Sequence, residues 1–295
     1  MIIDAHNHPD WHGHGLRQFL ENMSAYDIDK TWLLSWEAPT DEYDPEYNRI
    51  MLTGPGGPIP FDRCLRYVEQ APNRFVLGFA PDPRAPDAID RLEAAIEVCG
   101  VRVCGELKLR MMYDNPDALR MFRFCGERGL PVIVHIDYEF DTGRRYPRPN
   151  WWYGGGIAAL ERALAACPDT HFIGHAPGFW AHISGDGAFE QEEYPSGRVT
   201  PGGVVVRLLR QYPNLHADLS AGSAFNALTR DPEFGRDFVL EFHSRLLFGR
   251  DSFDNKMQQL LSRMELAVEV LDQVMAGNAM RLIGDNDGLA GPCAG

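Results

Sequence analysis

Eight short runs of apolar and β-branched residues punctuate the chain: "MIID" (1–4), "TWLLSW" (31–36), "RFVLGFA" (74–80), "VRVCGELKL" (101–109), "PVIVH" (131–135), "HFIGH" (171–175), "NLHADLS" (214–220) and "RLLFG" (245–249). Runs of this length between turn-forming residues predict buried strands. Between them the apolar positions return with a helical period. Ile89, Leu92, Ala95 and Ile96 form one stripe, and Gly100 predicts its end. Asn115 before Pro116 predicts an N-cap and first turn, and "GGIAALERALAACPD" stops before Pro168. Strands alternating with helices predict a parallel sheet covered by helices. Eight such units in 295 residues predict an α/β chain folded as one (β/α)8 barrel over residues 1–295. An open doubly wound sheet is the competing arrangement, but no glycine-rich phosphate fingerprint follows the first run.

The polar residues that interrupt these runs share one position. His6 and His8 follow the first, two residues apart and so on one face. Glu106 and Lys108 stand near the end of the fourth, His135 and His175 close the fifth and sixth, and Asp251 follows the eighth. A parallel barrel gathers these ends around one rim, where barrel enzymes keep their chemistry. Imidazole and carboxylate are ligands for Zn²⁺ and similar first-row ions. Taken singly, each residue has an ordinary structural reading: a hydrogen-bonded core histidine, a helix-capping Asp251, an internal Glu106–Lys108 ion pair. Taken together, they predict a metal centre. His12 and His14 read as solvated or substrate-adjacent. His171 begins its run and belongs at the other end, and His182, His216 and His243 carry no comparable signal.

Three long connections, 37–60, 137–155 and 177–201, follow strands and crowd the same rim. Trp151, Trp152 and Tyr153 in one of them predict an ordered substrate wall or a subunit contact. The 42 acidic residues outnumber 28 basic ones, a formal charge of −14, which disfavours nonspecific binding to nucleic acid or anionic membrane. No apolar run approaches the ~20 residues needed to span a bilayer. The first residues have no leader pattern. The six cysteines form no C-x-x-C pair and read as buried thiols of a cytoplasmic protein.

With these motifs in place, the chain resembles the amidohydrolase superfamily of metal-dependent barrels. It is most similar to the amidohydrolase-related (amidohydrolase 2) branch that includes aminocarboxymuconate-semialdehyde decarboxylase-type enzymes. The resemblance rests on "DAHNHP" (4–9), "GLPVIVH" (129–135), "FIGHAPG" (172–178) and "LLFGRD" (246–251), and "GNAMRLIG" (277–284) is similar to the closing helix. It implies His6, His8, His135 and Asp251 as ligands of one ion, with His175 as a second-sphere or catalytic histidine. TatD-like deoxyribonucleases, in a similar chain order, imply the alternative. There a strand-end Glu touches two ions, so Glu106 would bridge and His175 would bind the second. In other members a carboxylated lysine bridges, and Lys108 stands close by; otherwise Lys108 holds an anionic group on the substrate.

The implied candidates are therefore His6, His8, Glu106, His135, His175 and Asp251 for metal, and Asp251, His175 and Lys108 for catalysis. The implied cofactor is one or two divalent ions, Zn²⁺ foremost, with Mn²⁺, Fe²⁺ and Co²⁺ as alternatives. Two such ions outweigh the charges of Glu106 and Asp251 and suit an anionic substrate. Lys108 and Arg250 add positive potential, although Arg250 reads equally as the structural partner of a carboxylate. The expected function is metal-dependent hydrolysis of an amide, lactone or ester in a small organic molecule. Asp251 then takes a proton from the attacking water, and His175 binds metal or steadies the oxyanion. The alternative is non-oxidative decarboxylation of an aromatic or unsaturated acid. A purely structural metal is disfavoured by the open rim. A homo-oligomer is expected from the family's habit.

Overall fold

The predicted runs become strands with shifted ends, the first extending to Asn7 so that His6, expected after it, lies within it. The computed structural model describes residues 1–39, 42, 58–137 and 153–284. Its strands are β1 (Ile3–Asn7), β2 (Lys30–Leu33), β3 (Phe75–Leu77), β4 (Cys104–Leu107), β5 (Val132–His135), β6 (Phe172–His175), β7 (Leu215–Asp218) and β8 (Leu246–Leu247). Pairing is parallel throughout, in the order β1-β2-β3 and β4 through β8. A parallel bridge between Gly78 and Val103 joins β3 to β4. The Ala5 N–H donates to the Phe248 carbonyl at 2.9 Å and carries the end of β8 back to β1. The arrangement is a closed (β/α)8 barrel.

Both faces of such a strand are covered, which explains the near-continuous apolar runs. Ile3, Ala5, Trp32, Val76, Val103, Ile133, Ile173 and Leu247 form the inner cluster. The alternate residues, among them Leu33, Leu77, Val132, Val134 and Phe172, pack outward against helices. The covering helices are α1 (Leu16–Ala25), α2 (Phe61–Gln70), α3 (Ala88–Cys99), α4 (Pro116–Glu127), α5 (Gly156–Ala166), the short α6 (Pro177–Trp180), α7 (Val204–Gln211), α8 (Ala221–Thr229), α9 (Pro232–Phe242), α10 (Lys256–Arg263), α11 (Val268–Asp272) and α12 (Asn278–Ile283). Local signals act as expected. Asn115 accepts the Asp117 N–H at 2.9 Å, and Gly100 ends α3 at φ 74. Ala279 and Leu282 of α12 join the inner cluster, so this last helix packs against the barrel interior. Among the described residues, no helix is long and apolar enough to cross a membrane, and no cysteine is in a disulfide.

Of the long rim connections, most of the first and second, with Trp151 and Trp152, lie outside the described residues. Tyr153 corrects the expectation of a wall or contact residue. It is fully buried, its ring lies beside Trp36 and His135, and its hydroxyl donates to the Glu42 carbonyl at 3.3 Å. It is a core residue beneath the rim.

The first and last strands are held together by a buried ion pair. Arg250 Nε donates to Asp4 Oδ2 at 2.8 Å, the Arg250 N–H to Asp4 Oδ1 at 2.9 Å, and Arg250 Nη1 to Asn22 at 2.6 Å. Asp4 also accepts from Asn7 Nδ2 at 3.1 Å. Of the two readings of Arg250, the structural partner is the one seen. This pair ties the His6–His8 segment to the segment carrying Asp251. Removing one member of a buried pair leaves the other charge unpaired. Arg250→Met is therefore expected to cost about 3–5 kcal/mol in urea unfolding. Adding Asp4→Asn should return part of that loss, because no buried charge then stands alone.

Candidate metal centre

The barrel brings the predicted side chains to one end. His135 and His175 are paired residues on β5 and β6. His6 lies in β1 with His8 one residue beyond it, and Glu106 lies in β4. The Asp251 N–H donates to the His6 carbonyl at 2.8 Å, which draws the residue after β8 against β1. Asp251 has φ 49, a left-handed conformation that aspartate tolerates better than most residues. The Trp11 indole donates to the Asp251 carbonyl at 3.0 Å and fixes this turn.

Glu106 stands among four imidazoles. Its Oε1 is 2.6 Å from His135 Nδ1 and 3.5 Å from His175 Nε2. Its Oε2 is 3.3 Å from His8 Nε2 and 3.8 Å from His6 Nε2. Asp251 closes the cluster, 3.7 Å from His8 Nε2 and 3.9 Å from His175 Nε2. Three groups of three ligand atoms emerge, each with its atoms within 4.8 Å of one another: two sets at the cavity, His6–His8–Asp251 and Glu106–His135–His175, and a third, His6–His175–Asp218, that shares a histidine with each.

The orientation of the rings fits metal ligation. His6 Nδ1 donates to Asp218 Oδ2 at 2.7 Å, His175 Nδ1 to Asp218 Oδ1 at 2.9 Å, and His8 Nδ1 to the Leu34 carbonyl at 2.9 Å. Each of these rings is thereby held with Nε2 facing the cluster, the arrangement that outer hydrogen bonds impose on metal-binding histidines. His6 Nε2 and Asp251 Oδ1 are buried and lack a hydrogen-bond partner among the described residues. Buried polar atoms normally have one, and a cation would supply it here.

The electrostatics say the same. Burial alone would raise the Glu106 pKa, yet His135, His6 and His8 hold it well below the ordinary carboxylate range. Burial would likewise raise Asp218, but His175 and His6 push it far down. Burial lowers the basicity of His6, but Asp218 and Glu106 overcome it and keep His6 well above its ordinary value. Burial and the Lys108 cation push His135 down to about 3. The buried carboxylates thus demand positive charge between them, from protons or from metal ions.

Asp218 is the residue that sequence reasoning missed. It closes the seventh run in "LHAD", the same strand-end position that singled out the others. Lys108 lies just beyond β4, with Nζ 4.7 Å from the centre of the Trp36 ring and 5.5 Å from that of Tyr153. Glu106, rather than Lys108, occupies the middle of the histidines. Both sets open on a cavity of about 600 Å³. Lys108, His135, His175 and Asp251 line it, and Trp11, Leu219, Phe225 and Met257 add apolar wall. His12 also lines it, whereas His14 stacks on Phe253 at 3.8 Å. His171 is paired with His216 at 3.2 Å, away from the cluster.

Comparison with known proteins agrees with this architecture. A family model described as amidohydrolase matches residues 3–284. A search of the curated proteins found no match. Among solved structures, an uncharacterized TIM-barrel protein from Bordetella bronchiseptica superposes with a TM-score of 0.63 at 15% identity, covering 96% of this chain and 98% of that one. A dihydroxybenzoic acid decarboxylase from a Polaromonas species, with bound manganese and the inhibitor 2-nitroresorcinol, gives 0.58 at 15% identity, covering 96% of each chain. A putative 2-pyrone-4,6-dicarboxylic acid hydrolase from Pseudomonas putida gives 0.58 at 14%, covering 96% and 97%. At such identities these likenesses speak for the fold alone.

The two ligand sets predict two divalent ions per chain. Glu106→Gln removes an anionic ligand from one set and should lower the content to one ion, as measured by inductively coupled plasma mass spectrometry. Two ions retained in the variant would show that Glu106 is not a ligand.

Proposed function

We propose that this chain, which belongs to the amidohydrolase family, is a hydrolase that cleaves an amide, lactone or ester bond in a small anionic molecule. Members of the superfamily are metal-dependent enzymes, and the observation that carries the reading is Glu106 among four imidazoles, one oxygen beside His135 and His175 of its own set and the other beside His6 and His8 of the second. Divalent ions held there, Zn²⁺ foremost, supply Lewis acidity and lower the pKa of water to about 7.

The protein's own groups do the rest. His6, His8, His135 and His175 act as neutral ligands, and Glu106 joins the two sets. Asp251 has a side chain about 16% exposed, more open than Glu106 at 4%, and it lines the cavity. Its carboxylate takes the proton from the attacking water and returns it to the leaving group. Lys108 supplies a cation at the cavity wall for a carboxylate or phosphate of the substrate. The apolar wall of Trp11, Leu219, Phe225 and Met257 suits a ring or an unsaturated chain beside that anionic group. Trp36 and Tyr153 keep the Lys108 ammonium in place through their ring faces.

A second reading is non-oxidative decarboxylation. It is the activity named for several solved structures that share this fold, dihydroxybenzoate and 5-carboxyvanillate decarboxylases, and Lys108 would then hold the carboxylate that leaves. The reactions differ in the fate of water. In a screen of anionic esters, lactones, amides and aromatic acids run in H₂¹⁸O, hydrolysis places one solvent oxygen in the organic product per turnover. Loss of CO₂ with no ¹⁸O in the organic product would establish the second reading. On a hydrolysed substrate, Asp251→Asn is expected to lower kcat by roughly 10²–10⁴-fold. A variant that keeps its metal and full turnover would remove Asp251 from proton transfer.

A further inference from the structure

Asp218, at the end of β7, is fully buried and does not line the cavity. It therefore touches neither substrate nor solvent. Each of its oxygens is taken by a different imidazole: Oδ2 by His6 at 2.7 Å and Oδ1 by His175 at 2.9 Å. These rings belong to different ligand sets, and they stack on one another with centroids 4.1 Å apart at 30°. Ser220 steadies the carboxylate, its hydroxyl donating to Oδ1 at 2.7 Å and its N–H at 3.4 Å. The same hydroxyl is 2.9 Å from His175 Nδ1.

We infer that Asp218 is a positioning residue that ties the two ion positions together, one carboxylate orienting one imidazole of each. The inference rests on the two-ion reading of the site. Both rings must carry their proton on Nδ1 to reach Asp218, which leaves both Nε2 lone pairs for metal. Rotation of the carboxylate would misdirect both rings at once, because its oxygens move as a rigid unit. His6, His175 and Asp218 do form a compact triad of their own. The contacts of 2.7 and 2.9 Å within it are direct hydrogen bonds. They engage Nδ1 of each ring, whereas the other ring nitrogen, Nε2, faces Glu106 in both and Asp251 in His175. Asp218 is thus an anchor behind the histidines and not a third metal position.

The test uses the full chain loaded with Co²⁺ or Zn²⁺ and dialysed against graded chelator. Ions per chain are counted by inductively coupled plasma mass spectrometry, and the melting temperature serves as a fold control. In Asp218→Asn, the chelator concentration that removes each ion is expected to fall by about 10–100-fold for both positions. The visible bands of the Co²⁺ protein, which report ligand geometry, are expected to shift as well; a merely structural role would leave them in place. Two ions held as tightly as in wild type, or weakening at one position alone, would overturn the linkage while leaving the two-ion reading intact. A single ion in wild type would overturn the two-ion reading and, with it, the linkage. Should Asp218→Asn fail to fold, Ser220→Ala keeps the carboxylate and removes only its support. A smaller loss at both positions upholds the linkage, and unchanged resistance at both overturns it.

Discussion

A buried carboxylate requires positive charge around it, and Glu106 imposes that requirement on everything near it. It is almost wholly buried, so its charge must be balanced by donors or cations held in the protein. Four imidazoles from three other strands surround it and would hold such cations, and their orientation is useful only if the strands bring them there. The closed parallel barrel meets the condition: it converts residues far apart in the chain into neighbours on one rim. The Asp4–Arg250 pair and the Asp251 N–H bond to the His6 carbonyl complete the closure at the seam between first and last strands.

The same arrangement divides labour between inner and outer groups. Carboxylates and carbonyls behind the rings, Asp218 and the Leu34 carbonyl among them, take up Nδ1 and leave Nε2 for the centre. The groups that face the cavity are fewer and more open. Asp251, Lys108 and His12 share that space with apolar walls. The result is a rigid, charge-dense floor beneath a roomier chamber. On the proposed reading, such a site would hold ions by geometry set from behind and meet its substrate from in front.

Hydrophobic patterning alone disclosed most of the fold. Parallel strands buried on both faces must be apolar nearly throughout, so "PVIVH" and "HFIGH" stand out, and the polar residue that closes each is conspicuous. Helix ends were equally plain, because Asn115 and Gly100 act through contacts within a few residues. The site candidates His6, His8, Glu106, His135, His175 and Asp251 were legible for the same reason, each standing where an apolar run stops. Asp218 obeyed that rule too, but its partners His6 and His175 lie 212 and 43 positions away, and no local pattern records them.

What the sequence by itself determined is local: which segments are strands, where helices start and stop, and which ionisable residues close the strands. Tertiary structure decided the rest. Whether Arg250 serves the substrate or Asp4 depends on a contact across 246 positions, and whether Tyr153 forms a wall or core depends on its hydroxyl meeting a carbonyl 111 positions away. The bond between His6 and Asp218 spans 212 positions. Periodicity records only which side of its own strand or helix a residue faces. Partners across the barrel are chosen by how the strands close and stagger, and that geometry exists only once the whole chain has folded.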